Sequence, residues 1–235
     1  MSRRTPAASA DPVGGQPRDV HKPVPKRTRH QPRYLSLVRG LFLADIVTLC
    51  NSASGCTSIL ASLKYVTTQN EWFLYAAIWL LPAALFFDII DGKVARWRGT
   101  ESQLGQELDS LADVISFGVA PAVLGFAVGL QGLWDLLILL YFVNCGVARL
   151  ARYNVTAITN KDHTGKVRFF EGTPIPTTVL IALLIAYLST IGLIGDVSLP
   201  GGKFIFAGWT FHPFVLVYAI SGTAQISKNL RIPKF

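Results

Sequence analysis

The sequence predicts an all-α integral membrane protein of about six transmembrane helices with both termini in the cytosol, and three observations carry that expectation. First, 51% of the 235 residues are hydrophobic and only 15% are charged, against about 25% charged residues in soluble domains; mean hydropathy is +0.40. Second, apolar stretches of membrane-crossing length recur along the chain. Third, the basic residues fall almost entirely on one side of those stretches. A disordered chain, a collagen and a nucleic-acid-binding globule are excluded together, because long apolar runs leave too little polar surface for a soluble fold.

Residues 1–33 contain Pro6, Pro12, Pro17, Pro23, Pro25 and Pro32 among many basic residues and no apolar run. Such a segment cannot bury enough surface to order itself, so it reads as a disordered basic tail preceding a membrane domain over residues 34–235. It has no apolar h-region of the kind found in secretory signals. Tyr34 to Ala44 is apolar around a lone arginine and reads either as an interfacial helix or as an extension of the first span.

Crossing about 30 Å of hydrocarbon takes about 20 apolar residues. Six segments qualify, approximately 46–64, 72–91, 108–129, 133–152, 174–194 and 208–227. The third carries Pro121 and the sixth a polar patch between Ser221 and Ser227, so these two are the least regular. Trp72, Trp134 and Trp209 open the second, fourth and sixth spans, as in an aromatic belt. Of the 22 Lys and Arg residues, all but Lys64 and Lys203 fall on the side of the termini. Basic residues mark the cytosolic side, so the net charge of +8 reflects topology and attraction to anionic membrane lipids rather than nucleic acid. Cys50, Cys56 and Cys145 form no paired motif and imply neither a disulfide framework nor a zinc site.

Acidic residues are rare within the spans, yet Asp88 and Asp91 end the second and Asp109 and Asp113 begin the third. Spacings of i,i+3 and i,i+4 place each pair on one helical face. A short connection makes the two helices neighbours, with both pairs at one depth. Four carboxylates at a membrane boundary repel one another and resist desolvation, so protonation or divalent cations must offset the penalty. Two divalent ions would neutralise them, and oxygen-only ligands suit Mg²⁺ or Mn²⁺, with Ca²⁺ as the alternative, rather than zinc. An ion pathway is the competing reading, although pathways place acids near the midplane and on several helices.

The residues between the acids narrow this choice. The stretch from Asp88 to Asp113 reads D-x2-D-G-x2-A-R-x8-G-x3-D-x3-D and resembles the signature of the CDP-alcohol phosphatidyltransferases without departure at any fixed position. The resemblance implies a reaction in which an alcohol attacks a phosphorus of CDP-diacylglycerol and CMP leaves. It further implies two metals per site on Asp88, Asp91, Asp109 and Asp113, with Asp113 also the general base, and a homodimer. Gly92, Ala95, Arg96, Ser102 and Gly105 would frame the CDP moiety, the small residues permitting close approach and Arg96 meeting a phosphate. Thr48 and Asn51, i,i+3 on the first span, either line the nucleotide site or pack helices. Gly118, Gly125 and Gly129 of the third span offer small faces for helix association, Gly125 and Gly129 as a GxxxG pair.

Beyond Asp113, the stretches Cys145-Gly-Val-Ala-Arg149-Leu-Ala-Arg152-Tyr-Asn154 and Phe170-Glu171-Gly-Thr-Pro174-Ile-Pro176 resemble the L-serine-using members of that family. With the basic tail and the terminal Ile-Ser-Lys-Asn-Leu-Arg-Ile-Pro-Lys they resemble the fungal form, which implies an endoplasmic reticulum enzyme with a cytosolic active site. A zwitterionic acceptor needs a cation for its carboxylate and an acceptor for its ammonium. Arg149 and Arg152 could supply the first, or serve only as positive-inside anchors, and Asn154 and Glu171 the second. Siblings that use inositol or glycerol 3-phosphate, and a cation transporter, are the alternatives to L-serine transfer.

Overall fold

The computed structural model describes residues 43–98, 103–159, 169–171, 173–206, 208–227 and 231–233; the basic tail and nearly all of the 34–44 segment lie outside them. Helix α1 (Leu43–Thr68) and α2 (Glu71–Arg98) form an antiparallel hairpin. Their turn is set by two residues. Gln69 takes a left-handed conformation, φ 53°, and its N–H closes on the Tyr65 carbonyl at 2.7 Å. Asn70 then caps α2, its Oδ1 accepting the Trp72 N–H at 2.9 Å. The pair ends one helix and starts the next.

The third span is one continuous rod in three parts: α3 (Gln103–Asp113), a π-helix (Val114–Val119) and α4 (Ala120–Ala127). Pro121 lies just past the π-helix. Lacking an N–H, it leaves the Phe117 carbonyl without its usual helical donor. Thr178 supplies a replacement, its hydroxyl donating to that carbonyl at 2.8 Å. The irregularity that Pro121 signals in the sequence is therefore a widened turn, not a break.

Helix α5 (Leu133–Thr159) follows, then strand β1 (Phe169–Glu171), a 3₁₀ turn (Ile175–Thr178) leading into α6 (Val179–Thr190), strands β2 (Phe204–Phe206) and β3 (Trp209–Phe211), a second 3₁₀ turn (Pro213–Val215) leading into α7 (Leu216–Ile226), and β4 (Arg231–Pro233). The strands form two antiparallel pairs, β1 with β4 and β2 with β3. The core between the helices is built on Leu74, Ile78, Leu81, Leu124, Phe142, Ile185 and Tyr218. Phe142 and Tyr218 meet edge-to-face at 5.3 Å, and the Tyr218 hydroxyl donates to the Pro121 carbonyl at 2.9 Å.

Among the described residues, four helical segments, Asp45–Thr68, Glu71–Val94, Leu104–Ala127 and Leu133–Val155, are long and apolar enough to cross a membrane. The fifth and sixth apolar runs give shorter helices, Ile175–Thr190 and Pro213–Ile226. The sixth run was expected to be helical from residue 208, but residues 209–211 are strand, and Trp209 sits on the β2–β3 hairpin rather than opening a helix. A hydropathy window registers Phe204-Ile-Phe and Trp209-Thr-Phe as apolar and is blind to the turn at Gly208, φ 81°.

Residues 128–135 and 195–212 meet at one end of the bundle. Asp135 is fully buried and accepts the Gly132 and His212 backbone N–H groups, both at 2.9 Å, as well as His212 Nδ1. His212 Nε2 faces the Asp196 carbonyl at 2.9 Å, and an exposed Lys203 ion pair holds the Asp196 carboxyl below the usual carboxylate range. The opposite end, where α1 starts and α2 finishes, holds the acidic residues.

The GxxxG pair is consumed within the chain. A β-carbon on Gly125 would stand 2.6 Å from the Tyr218 hydroxyl. Gly129 follows the helix end with φ 128°, close against Gly195 and Asp196. Neither offers the small face for a second chain that the spacing suggests, because α7 and the 195–196 loop already occupy it. At Gly118 a β-carbon would meet nothing within 4 Å.

Helices approach closely at Gly55 of α1, where a β-carbon would lie 2.4 Å from Ser116 Oγ and 2.7 Å from Ser116 Cα. Backbone must move to admit a methyl group there. Gly55→Ala is expected to cost about 1–3 kcal/mol by overpacking, read as a lower melting temperature of the purified protein in detergent.

Candidate active site

The site is assembled by three helices that meet at one end. Asp88 and Asp91 occupy the last turns of α2, and Asp109 and Asp113 lie along α3, the last bordering the π-helix. One carboxylate oxygen from each of Asp88, Asp91 and Asp109 lies within 4.8 Å of the others. Asp113 stands one turn deeper, beside Asp88; it is 8% exposed and Asp91 4%. The facing pairs expected from the spacing are therefore present, as a cluster of three with the fourth adjoining.

Helix α1 orients them. The Thr48 hydroxyl donates to Asp91 Oδ2 at 2.7 Å, and Asn51 Nδ2 donates to Asp113 Oδ1 at 3.4 Å. The Asn51 carbonyl accepts the Ser116 hydroxyl at 3.0 Å, which ties the π-helix to α1 one turn beyond Asp113. The i,i+3 pair Thr48 and Asn51 thus acts on the aspartates themselves. Ser116 escaped the sequence reading; a serine three residues past the last aspartate was the available signal.

The donor set fits a hard divalent cation. Ligands bound to one ion at about 2.0–2.6 Å cannot stand more than about 4–5 Å apart, and all three are oxygens. Asp109 Oδ1 is buried with no hydrogen-bond partner among the described residues, an acceptor left for something the chain does not supply.

Gly92 and Gly105 flank the cluster, on α2 and α3, both half-buried. The side chains of Ala95 and Arg96, and the whole of Ser102, lie outside the described residues. Arg149 and Arg152 are half-buried on one face of α5. Arg149 lies within charge–charge range of Asp113, and its Nε has no partner among the described residues. Asn154 is drawn elsewhere: its amide engages Ser110 Oγ at 3.1 Å and Glu107 Oε2 at 3.4 Å on α3. Glu171 lies on β1 opposite Arg231 of β4; its side chain is outside what is described.

A carboxylate cluster on two helix ends, carried by this spacing, matches one family along most of the chain: residues 41–220 fit the CDP-alcohol phosphatidyltransferase domain. The chain belongs to the CDP-alcohol phosphatidyltransferases. It is 45% identical over 204 residues to CDP-diacylglycerol–serine O-phosphatidyltransferase of Saccharomyces cerevisiae, covering 86% of this chain and 74% of the yeast protein. It is 36% identical over 206 residues to the Mycobacterium leprae protein of the same name, covering 86% and 61%. Archaetidylserine synthase of Methanothermobacter thermautotrophicus is 38% identical over 141 residues, 59% of this chain and 54% of that protein.

In this phosphatidyltransferase, Thr48 donates to a carboxylate of the cluster and is not itself an acid, so removing its hydroxyl leaves all four acids in the chain. Loss of an outer partner of a ligand costs about 10–100-fold in metal affinity or activity. Thr48→Val is expected to raise the divalent-cation concentration for half-maximal activity by that factor with unchanged folding. Asp109→Asn is expected to abolish metal-dependent activity outright.

Proposed function

We propose that this chain transfers the phosphatidyl group of CDP-diacylglycerol to the hydroxyl of L-serine, giving phosphatidylserine and CMP. The observation that carries the reading is the oxygen cluster of Asp88, Asp91 and Asp109 with Asp113 one turn deeper, in a chain similar to enzymes named for serine transfer. Two divalent ions, Mg²⁺ or Mn²⁺, held by the four aspartates would neutralise the pyrophosphate and polarise its phosphorus. Gly92, Ala95, Ser102 and Gly105 frame the nucleotide, and Arg96 meets a phosphate.

The remaining steps belong to side chains. The serine hydroxyl is a weak nucleophile at neutral pH and needs a proton acceptor within hydrogen-bond reach. Asp113 takes that proton. Its Oδ1 is oriented by Asn51, and its depth sets it behind the other three carboxylates. The serine oxygen bonds to the phosphorus that carries diacylglycerol, the bridging P–O bond breaks, and CMP departs with the bridging oxygen. Arg149 binds the serine carboxylate, with Arg152 beside it on α5.

The same reading places six spans in the endoplasmic reticulum membrane, the tail, both termini and the site facing the cytosol. All but two of the Lys and Arg residues fall on that side, and short fifth and sixth helices are accommodated by local thinning of the bilayer. We take the enzyme to be a homodimer with one site per chain; cross-linking in mild detergent is expected to give a dimer band.

CMP release from CDP-diacylglycerol should depend on added L-serine and not on inositol or glycerol 3-phosphate. Asp113→Asn is expected to retain CDP-diacylglycerol and metal binding while turnover falls at least about 10²-fold, the scale of general-base catalysis. Parallel loss of binding and turnover would make Asp113 a ligand only.

A further inference from the structure

Gln225 lies in the last turn of α7 and is 0% exposed. Neither its Nε2 nor its Oε1 has a hydrogen-bond partner among the described residues. An amide that could make up to four hydrogen bonds and makes none, within protein, carries a desolvation penalty with no internal return. Buried polar groups of this kind call for an explanation by a missing partner.

Its surroundings say where that partner sits. A β-carbon on Gly146 of α5 would stand 3.3 Å from Gln225 Oε1 and 2.9 Å from Ile175 Cδ1. The Thr173 N–H donates to the Ala224 carbonyl at 3.2 Å, drawing the segment before the first 3₁₀ turn against the end of α7. Gly146 and Arg149 are i,i+3 on α5 and share a face, one turn apart. Helix α5 also packs on the π-helix that follows Asp113. Two unsatisfied groups of complementary kind thus lie one turn apart along α5: the Arg149 Nε donor, within charge–charge range of Asp113, and the Gln225 amide, packed from α7 against Gly146.

We infer that Gln225 is a specificity-determining residue for the acceptor: its carbonyl oxygen accepts from the ammonium of an amino-acid alcohol whose carboxylate is held by Arg149. The inference rests on the serine-transfer reading and deepens it. An uncharged acceptor suits the place, because a fifth carboxylate beside four aspartates would add repulsion. A site whose buried polar group is satisfied only by the correct substrate also rejects analogues that lack the matching group, since they leave it unpaired.

The test is steady-state kinetics on the full chain in detergent with Gln225→Met, which keeps the length and removes both hydrogen-bonding atoms, and Gln225→Leu as a second variant. The expected result is a KM for L-serine raised at least 10-fold with the KM for CDP-diacylglycerol unchanged. The preference for L-serine over 3-hydroxypropanoate, which is serine without its ammonium, should fall by a similar factor. The preference over ethanolamine, which lacks the carboxylate, should be unchanged. Because an unpaired amide is replaced by an apolar group, the substrate-free melting temperature should hold or rise; a glutamine serving only structure would give the reverse. An unchanged KM for L-serine in a folded variant, or a lower melting temperature with both KM values rising together, overturns the inference. Absence of serine-dependent CMP release from the wild-type chain would instead overturn the reading beneath it.

Discussion

Three carboxylates whose oxygens approach within 4.8 Å at the end of two apolar helices set the terms for the rest of the structure. At an effective dielectric of about 20, two unit charges at that distance repel by about 3 kcal/mol, and partial burial adds a desolvation cost. A fold that keeps such a cluster needs donors aimed at it and a backbone stiff enough to prevent it from spreading. Helix α1 meets both needs. It supplies Thr48 to Asp91 and Asn51 to Asp113, and Gly55 one turn further lets it approach the π-helix until Ser116 closes on the Asn51 carbonyl. The carboxylates are thus held by a helix that contributes no acid to the cluster.

The π-helix follows from the same constraint. It begins one residue after Asp113, and its wider turn re-aims the helix between Asp113 and Pro121. Pro121 frees the Phe117 carbonyl, Thr178 takes it up, and the α6 entrance is thereby fastened to the acidic helix. A device that looks like damage in the third span is the joint by which the entrance of α6 is fastened four residues past Asp113. The helix Ile175–Thr190 is short for a membrane span, consistent with an entrance placed by this contact rather than by hydrocarbon thickness.

The acids, the α2–α3 hairpin arrangement and the first four spans were legible in the sequence because each is a local pattern: i,i+3 and i,i+4 spacing, about 20 apolar residues, a short connection. What escaped were features decided across the fold. The β2–β3 hairpin was hidden because Phe204 to Phe211 is apolar whether extended or helical. Gly125 and Gly129 read as a dimerisation face, since the sequence does not say that Tyr218 and residues 195–196 fill it. Thr48 and Asn51 were found by position, but their hydrogen bonds to Asp91 and Asp113 are a matter of helix rotation. Asn154 was placed at the right level of α5 and faces Ser110 and Glu107 instead. Gln225 was visible only as polarity that weakened the sixth span.

The two ends of the bundle treat buried polar groups differently. Away from the acids, Asp135 and His212 are both fully buried and each is satisfied: the carboxylate takes two backbone amides and the imidazole, and the second ring nitrogen meets the Asp196 carbonyl. That arrangement fixes the start of α5 in the manner of a capping box, with the first-turn acid Asp135 reaching back to the Gly132 amide just ahead of the helix, and it leaves nothing for a ligand. At the acidic end, Asn51 Oδ1, Asp109 Oδ1, Arg149 Nε and both amide atoms of Gln225 are without partners among the described residues, Ser62 on α1 being the unpartnered group outside that region. Packing alone would select against such groups, because each costs about 1–3 kcal/mol when buried unpaired. Their concentration toward the end that carries the carboxylates separates that end from the one whose buried polar groups are satisfied within the chain.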